Sequence, residues 1–231
     1  MMDLSNIPAD IDGQAQALLL RAQTALKTSD LLGAMRYFTG LAELLELSEL
    51  HREQAEALVQ VAALKGKLQL DEEVIEIYLR VWDLLDRVGD EVAKAMVLNN
   101  LGHCYVKRKS WAEALRCFSV ALEVFRGEQA DKGIADQLQN IGSVHRDRGV
   151  HAEALNHYFG ALSVYERISD GLSCADQFVN IGYIYAMQGQ TEEALNWFEK
   201  AVPVFETFEA LVKAEFTRQN IARLRLAQGE T

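Results

Sequence analysis

A repeat of 40 residues runs through the chain and constrains its fold more than any other feature. Pairs that combine a larger residue with a small one recur in a single phase. They are Val61-Ala62, Leu101-Gly102, Ile141-Gly142, Ile181-Gly182 and Ile221-Ala222, with Arg21-Ala22 following more weakly. A fixed period in this range is typical of arrays whose units bury their apolar faces only against their neighbours. The chain is therefore predicted to be a repeat array.

Each unit continues with further small and aromatic residues at fixed spacing. In one unit these are Leu98, Leu101-Gly102, Tyr105, Ala114, Phe118 and Ala121. In the next two they are Leu138, Ile141-Gly142, His145, Ala154, Tyr158 and Ala161, then Phe178, Ile181-Gly182, Tyr185, Ala194, Phe198 and Ala201. Small residues allow two antiparallel helices to approach closely, and the aromatic rings fill the space beside them. The pattern predicts pairs of packed helices.

Helices are predicted along almost the whole chain. The only prolines are Pro8 and Pro203, so long helices can form without interruption. The sequence has no sustained alternation of β-branched residues and no Asn-Gly or Asp-Gly hairpin. We therefore expect an all-α fold.

The pattern within each unit resembles the tetratricopeptide repeat. Its signature places a large residue, Leu-Gly and Tyr on a first helix, A, and Ala-x-x-x-Phe on a second helix, B. The usual period is 34 residues, and the six extra residues are expected to lengthen helices that short polar turns connect. Forty-residue units of this kind resemble those of spindle-orientation adaptors, kinesin light chains and bacterial peptide-pheromone receptors.

This resemblance implies a right-handed α-solenoid in a single domain, 1–231. It comprises five helix-turn-helix repeats and a C-terminal capping helix. The repeats are expected at 15–54, 55–94, 95–134, 135–174 and 175–214, and the terminal helix at 215–228. Its polar outer face is expected to come from Arg218, Arg223, Arg225 and Gln228.

Charge restricts the possible partners. The net charge is −11 and the pI is near 5.0, whereas nucleic acids and anionic membranes are bound by basic surfaces. No run approaches the length of a membrane span, and the amino terminus lacks the features of a signal peptide. We therefore predict a soluble, cytoplasmic protein that binds neither nucleic acid nor membrane.

No pattern of catalytic or metal-binding residues stands out. Cys104, Cys117 and Cys174 are isolated in apolar surroundings. His151 and His157 are six residues apart and cannot share a helix face. We predict a protein that is not an enzyme and needs no metal or other cofactor.

The resemblance places a partner-binding site in the concave groove, which A helices line. The residue before each Leu-Gly pair points into that groove in the family. Here these residues are Asn100, Asn140, Asn180 and Asn220, with Gln60 and Leu20 in the earlier units. An amide both donates and accepts hydrogen bonds, so such a row of asparagines can hold the backbone of an extended peptide. The alternative is that these amides connect helices within the chain.

Flanking residues of the A helices would select the ligand. One or two turns from the asparagines lie His103, Lys107, Ser143, Arg146, Tyr183, Met187 and Arg223, and the helix starts carry Asp136 and Asp176. The expected ligand is an acidic or mixed-charge peptide that Lys107, Arg146 and Arg223 anchor, with an apolar side chain against Tyr183 or Met187.

Three functions remain open from the sequence. The first is a non-enzymatic adaptor that holds a segment of a partner protein. The second is a sensory or regulatory repeat domain of a bacterial signalling system that responds to a peptide. The third is a scaffold that self-assembles through the open ends of the array.

Overall fold

The computed structural model describes residues 7–68 and 71–227, and this part of the chain contains eleven α-helices and no strand. The helices are α1 (Ala9–Lys27), α2 (Leu31–Leu47), α3 (His51–Lys67), α4 (Asp71–Val88), α5 (Glu91–Lys107), α6 (Trp111–Gly127), α7 (Asp131–Asp147), α8 (His151–Arg167), α9 (Gly171–Met187), α10 (Thr191–Thr207) and α11 (Leu211–Ala227). Odd-numbered helices are the A helices and even-numbered helices the B helices. The predictions of an all-α fold and of five helix pairs followed by a terminal helix are confirmed.

Nearly identical turns connect the helices. In the described turns a residue with positive φ recurs at a spacing of 20 positions, apart from position 69, which lies outside the described residues. These residues are Gly89, Gly149 and Gly189, and Ser29, Glu49, Lys109, Gln129, Ser169 and Glu209. The residue after it donates its N–H back into the preceding helix, as Ser110 does to the carbonyl of Tyr105 at 2.9 Å. This bond is typical of the Schellman ending of a helix. The 40-residue unit therefore consists of two helices of about five turns, which accounts for the six extra residues.

Aspartates begin several of the helices. Asp30, Asp90 and Asp170 each accept a hydrogen bond from the backbone N–H three residues later, at 2.9, 3.0 and 3.1 Å. These bonds satisfy N–H groups that have no partner within the helix. Asp90 also pairs with Arg52 at 2.7 Å, which links the starts of α3 and α5.

The glycine of the repeat lies beneath an aromatic ring of the B helix. A Cβ atom added to Gly142 would lie 2.9 Å from the Tyr158 ring, and one added to Gly182 would lie 2.8 Å from the Phe198 ring. Both rings are buried. The glycine is therefore required by the close approach of the two helices, although it lowers helix propensity.

From α3 onward, the A helices begin four residues before the unit starts expected from the repeat, and α1 begins six residues before its expected start. The expected starts at 55, 95, 135 and 175 lie inside α3, α5, α7 and α9, and α11 begins at Leu211. The signature residues used to set the unit boundaries therefore lie one turn inside each of these helices. Gln228 lies outside the described residues.

Ion pairs cover the outer face of α11. Arg218 and Arg225 occupy the positions at which α9 has Phe178 and Tyr185. Arg218 pairs with Glu206 of α10, and Arg225 pairs with Glu199 at 2.6 Å. Two aromatic positions of α9 are thus replaced on α11 by charged side chains that pair with α10.

The chain divides into two compact units between Cys117 and Phe118, inside α6. We describe each unit by itself. That residues 1–231 form a single right-handed domain stays a prediction.

Candidate functional site

In the first unit, Asn100 lies where two clefts between α3 and α5 meet. α4 forms the floor of both clefts, because its residues Tyr78, Val81 and Leu85 are buried beneath them. Asn100 itself is half-buried, and its side chain has no hydrogen bond within the described part of the chain. Its amide is thus available at the centre of this surface.

The first of the two, which we call the apolar cleft, has a volume of about 440 Å³. Its walls include Val59 of α3, Leu85 of α4 and Met96 of α5, with Glu56 at the rim. Met96 remains 60% exposed although it is a large apolar side chain. The cleft therefore offers apolar surface that folding has not buried.

The second, which we call the basic cleft, has a volume of about 320 Å³. Ala63 and Gly66 line its α3 side, and a Cβ added to Gly66 would have no atom within 4 Å. Lys67, His103 and Lys107 surround it. Desolvation by the cleft walls lowers the pKa of His103. The basic cleft thus combines open space with three nitrogen-bearing side chains.

In the second unit, the asparagines of the repeat differ in their surroundings. Asn140 and Asn180 are half-buried on α7 and α9, and the Asn180 side chain has no hydrogen bond to any described residue. Asn220 is only 8% exposed, and its Nδ2 donates to the hydroxyl of Tyr183 at 2.7 Å. Asn220 and Tyr183 therefore connect α11 to α9. At this position the asparagine joins two helices of the chain, as the alternative to peptide binding predicts.

The flanking residues of the second unit also differ. Arg146 pairs with the neighbouring Asp147 at 2.9 Å. The Tyr183 ring packs edge-on against Phe198, with 5.3 Å between the ring centroids. Met187 and Arg223 are exposed at the surface. Of these residues, Met187 and Arg223 have the most accessible side chains.

The two aspartates expected at the groove edge contact other parts of the second unit. Asp136 accepts a hydrogen bond from the hydroxyl of Tyr165 at 2.6 Å, and Asp176 pairs with Lys213 at 2.7 Å. Tyr165 is buried, and burial together with the bond to Asp136 raises the pKa of its hydroxyl. Both carboxylates therefore stabilise the stacking of helices.

The sequence pattern did not indicate three residues of the first unit's site. Lys67 and Gly66 of α3 lie in an early repeat whose signature is weak, and Met96 of α5 lies outside the signature positions of its repeat. The closely spaced small residues Ala62, Ala63 and Gly66 were the available signal, since small side chains on an A helix leave room beside it.

No metal site is evident in residues 7–68 and 71–227. In this part of the chain no three or more His, Cys, Asp or Glu side chains are grouped so that they could hold a metal ion. Cys104, Cys117 and Cys174 are free thiols and buried. No described helix is both long and apolar enough to cross a membrane.

Comparison with known proteins supports this architecture. Residues 135–207 match the family model of the tetratricopeptide repeat. This segment consists of tetratricopeptide repeats. Its helix pairs α7–α8 and α9–α10 are those in which Gly142 and Gly182 lie beneath Tyr158 and Phe198. No curated protein matches the chain in sequence.

Solved tetratricopeptide structures share the fold over most of the chain. A signal transduction ATPase with a tetratricopeptide repeat sensor, from Pyrococcus horikoshii, is 12% identical, with a TM-score of 0.80 over 94% of this chain and 34% of that one. A putative kinesin light chain from Podospora anserina is 13% identical, with a TM-score of 0.68 over 87% of this chain and 98% of that one. A Rap protein complexed with competence and sporulation factor is 13% identical, with a TM-score of 0.64 over 96% of this chain and 66% of that one. This chain thus spans about a third of the ATPase, and at these identities the likeness concerns the fold alone.

Proposed function

We propose that this chain is a non-enzymatic adaptor that holds an extended segment of a partner protein along the exposed face of its A helices. Tetratricopeptide arrays are protein-interaction folds. The observation that carries the proposal is the meeting of the apolar and basic clefts at Asn100. An amide at that place can bond both the N–H and the C=O of an extended backbone, while the clefts receive its side chains.

The partner is a protein or peptide of acidic or mixed charge. In the first unit Lys107 and His103 supply basic groups beside Asn100. In the second unit Arg223 is an exposed basic residue of an A helix, and the exposed Met187 offers an apolar contact. The charge of the chain also supports a partner other than nucleic acid or membrane. This and a cytoplasmic location stay predictions.

Selection of displayed random dodecapeptides on the immobilised full chain would test the proposal. We expect peptides to be enriched, and Asn100→Ala to weaken the binding of those held in the first unit by about tenfold, since about 1.4 kcal/mol of hydrogen bonding is lost. For peptides held in the second unit, the double variant Asn140→Ala, Asn180→Ala should have a similar effect. Circular dichroism would verify that each variant is folded.

Two asparagines of the B helices provide a matched control. Asn156 and Asn196 are exposed at equivalent positions of α8 and α10. The double variant Asn156→Ala, Asn196→Ala should bind as the original chain does. If no peptide is enriched, or if the asparagine variants of the A helices bind as tightly as this control, the proposal is wrong and the amides serve helix packing.

Self-assembly is the second candidate, because apolar side chains are exposed near the start of α11. Val212 is 85% exposed, and Leu211 and Phe216 are exposed beside it. If copies associate through this surface, light scattering should give a mass that falls on dilution, and Val212→Glu should give monomers throughout. A concentration-independent monomer would exclude self-assembly. The sensory alternative requires the same peptide binding as the adaptor and is addressed by the selection above.

A further inference from the structure

We infer that the surface between α3 and α5 recognises an apolar and an acidic side chain about three residues apart in an extended segment. This inference rests on the proposed function and names the chemistry of its ligand. The apolar side chain would occupy the apolar cleft, against Val59, Leu85 and Met96. The acidic side chain would occupy the basic cleft, beside Lys67, His103 and Lys107.

The spacing follows from helix geometry. Met96, Asn100 and His103 lie at i, i+4 and i+7 of α5, so they form one line along the helix. Seven residues of helix correspond to about 10.5 Å, and an extended strand covers that distance in about three residues. Asn100 lies between the two clefts, where it meets the backbone that joins the two side chains.

Local charge favours a carboxylate in the basic cleft although the whole chain carries −11. No Asp or Glu is among the described residues that line this cleft. Lys67 is exposed and forms no ion pair within the described part of the chain. Beside it, Gly66 leaves open space. A Glu or Asp side chain therefore finds both room and a positive charge there.

Proton uptake at His103 should accompany the binding of such a ligand. Among the described residues that line the cleft with His103, the titratable ones are Lys67 of α3, Tyr78 of α4, and Cys104 and Lys107 of α5. Partial desolvation holds the pKa of His103 below its ordinary value in the free chain, and a bound carboxylate would raise it. Affinity for an acidic segment should then increase as the pH falls from 7.5 to 6, where the ligand's own carboxylate is still ionised.

A peptide array probed with the labelled full chain would test the inference. The peptides carry one Leu and one Glu in an Ala/Ser background, in both orders, with the Glu two, three or four positions from the Leu. We expect the three-residue spacing to bind most tightly, and Glu→Gln in that peptide to weaken binding about tenfold. Binding of the Glu peptide should also strengthen at pH 6, whereas binding of the Gln peptide should not.

Charge reversal of a cleft lysine gives the decisive comparison. Lys67→Glu should abolish the preference for Glu over Gln, and Lys27→Glu, at the exposed end of α1, should leave it unchanged. Equal binding of Glu and Gln peptides, or a preference that survives Lys67→Glu, would overturn the inference. If the inference is overturned in this way but Asn100→Ala still weakens the binding of all bound peptides, the proposed function stands without the inferred ligand chemistry. If neither the array nor the random library yields a bound peptide, both fail.

Discussion

Replacing Gly182 by alanine is expected to lower the free energy of unfolding by about 1–3 kcal/mol. The added Cβ would lie 2.8 Å from the ring of Phe198. That ring is 1% exposed and packs against Tyr183, so it has little space in which to move. Urea denaturation followed by circular dichroism would measure the change.

Gly160 provides the matched control, because it also lies within a helix of the second unit. A Cβ there would meet only Leu138, at 3.5 Å, which is ordinary contact. Gly160→Ala should therefore stabilise the chain by up to about 1 kcal/mol through helix propensity. In a Phe198→Leu background, Gly182→Ala should lose most of its cost. Equal effects of the two glycine substitutions would contradict the close approach of α9 and α10.

Acidification is expected to destabilise the second unit through His145 and His157. Their rings are stacked, with 5.5 Å between the centroids and 6° between the planes. Desolvation lowers the pKa of both imidazoles. The charge of Arg148 lowers the pKa of His145 further, and His145 lowers that of His157. Glu153 raises both pKa values in part. The neutral pair is therefore favoured by folding.

The direction of the pH dependence follows from linkage. Each folded-state pKa lies below the unfolded value of about 6.5, so the unfolded chain binds more protons as the pH falls. The stability that these two groups contribute is complete above about pH 6.5 and is lost as the pH falls toward the folded pKa. Thermal unfolding between pH 7.5 and 5.5 should show a Tm that falls with pH.

A ring that cannot be protonated should remove part of this dependence. His157→Phe keeps an aromatic ring against His145, and its Tm should vary less with pH over the same range. His103, whose pKa is also lowered, still contributes in that variant. His151→Phe, at the first residue of α8 and outside the stack, is the control and should retain the original slope. An unchanged slope in His157→Phe would show that the stacked pair does not titrate as described.

Much of the fold could be predicted because its signature consists of buried residues. Gly142, Gly182, Tyr158 and Phe198 recur 40 residues apart, and each occupies the same place between an A helix and a B helix. The longer helices and short turns were also predicted, and each described turn contains a residue with positive φ. Because these residues recur at a fixed spacing, the sequence alone is enough to recognise the helix pairs.

The candidate site could be predicted only in part, because groove residues do not follow the signature. Asn100, His103 and Lys107 were expected and do line the clefts between α3 and α5. Lys67 and Met96 were missed, since nothing local to them in sequence shows that α3, α4 and α5 leave space there. The apolar character of the first cleft depends on Leu85, which comes from a third helix.

The sequence by itself determined the stacked helix pairs of this protein. Units of 40 residues with small and aromatic positions can bury their apolar faces only against one another. Only the tertiary structure decided which asparagine is accessible to a partner. Asn220 follows the same sequence pattern as Asn180, yet it is buried and donates a hydrogen bond to Tyr183, 37 residues away. Hydrogen bonding and exposure depend on which residues of neighbouring helices meet, and a one-dimensional repeat does not contain that information.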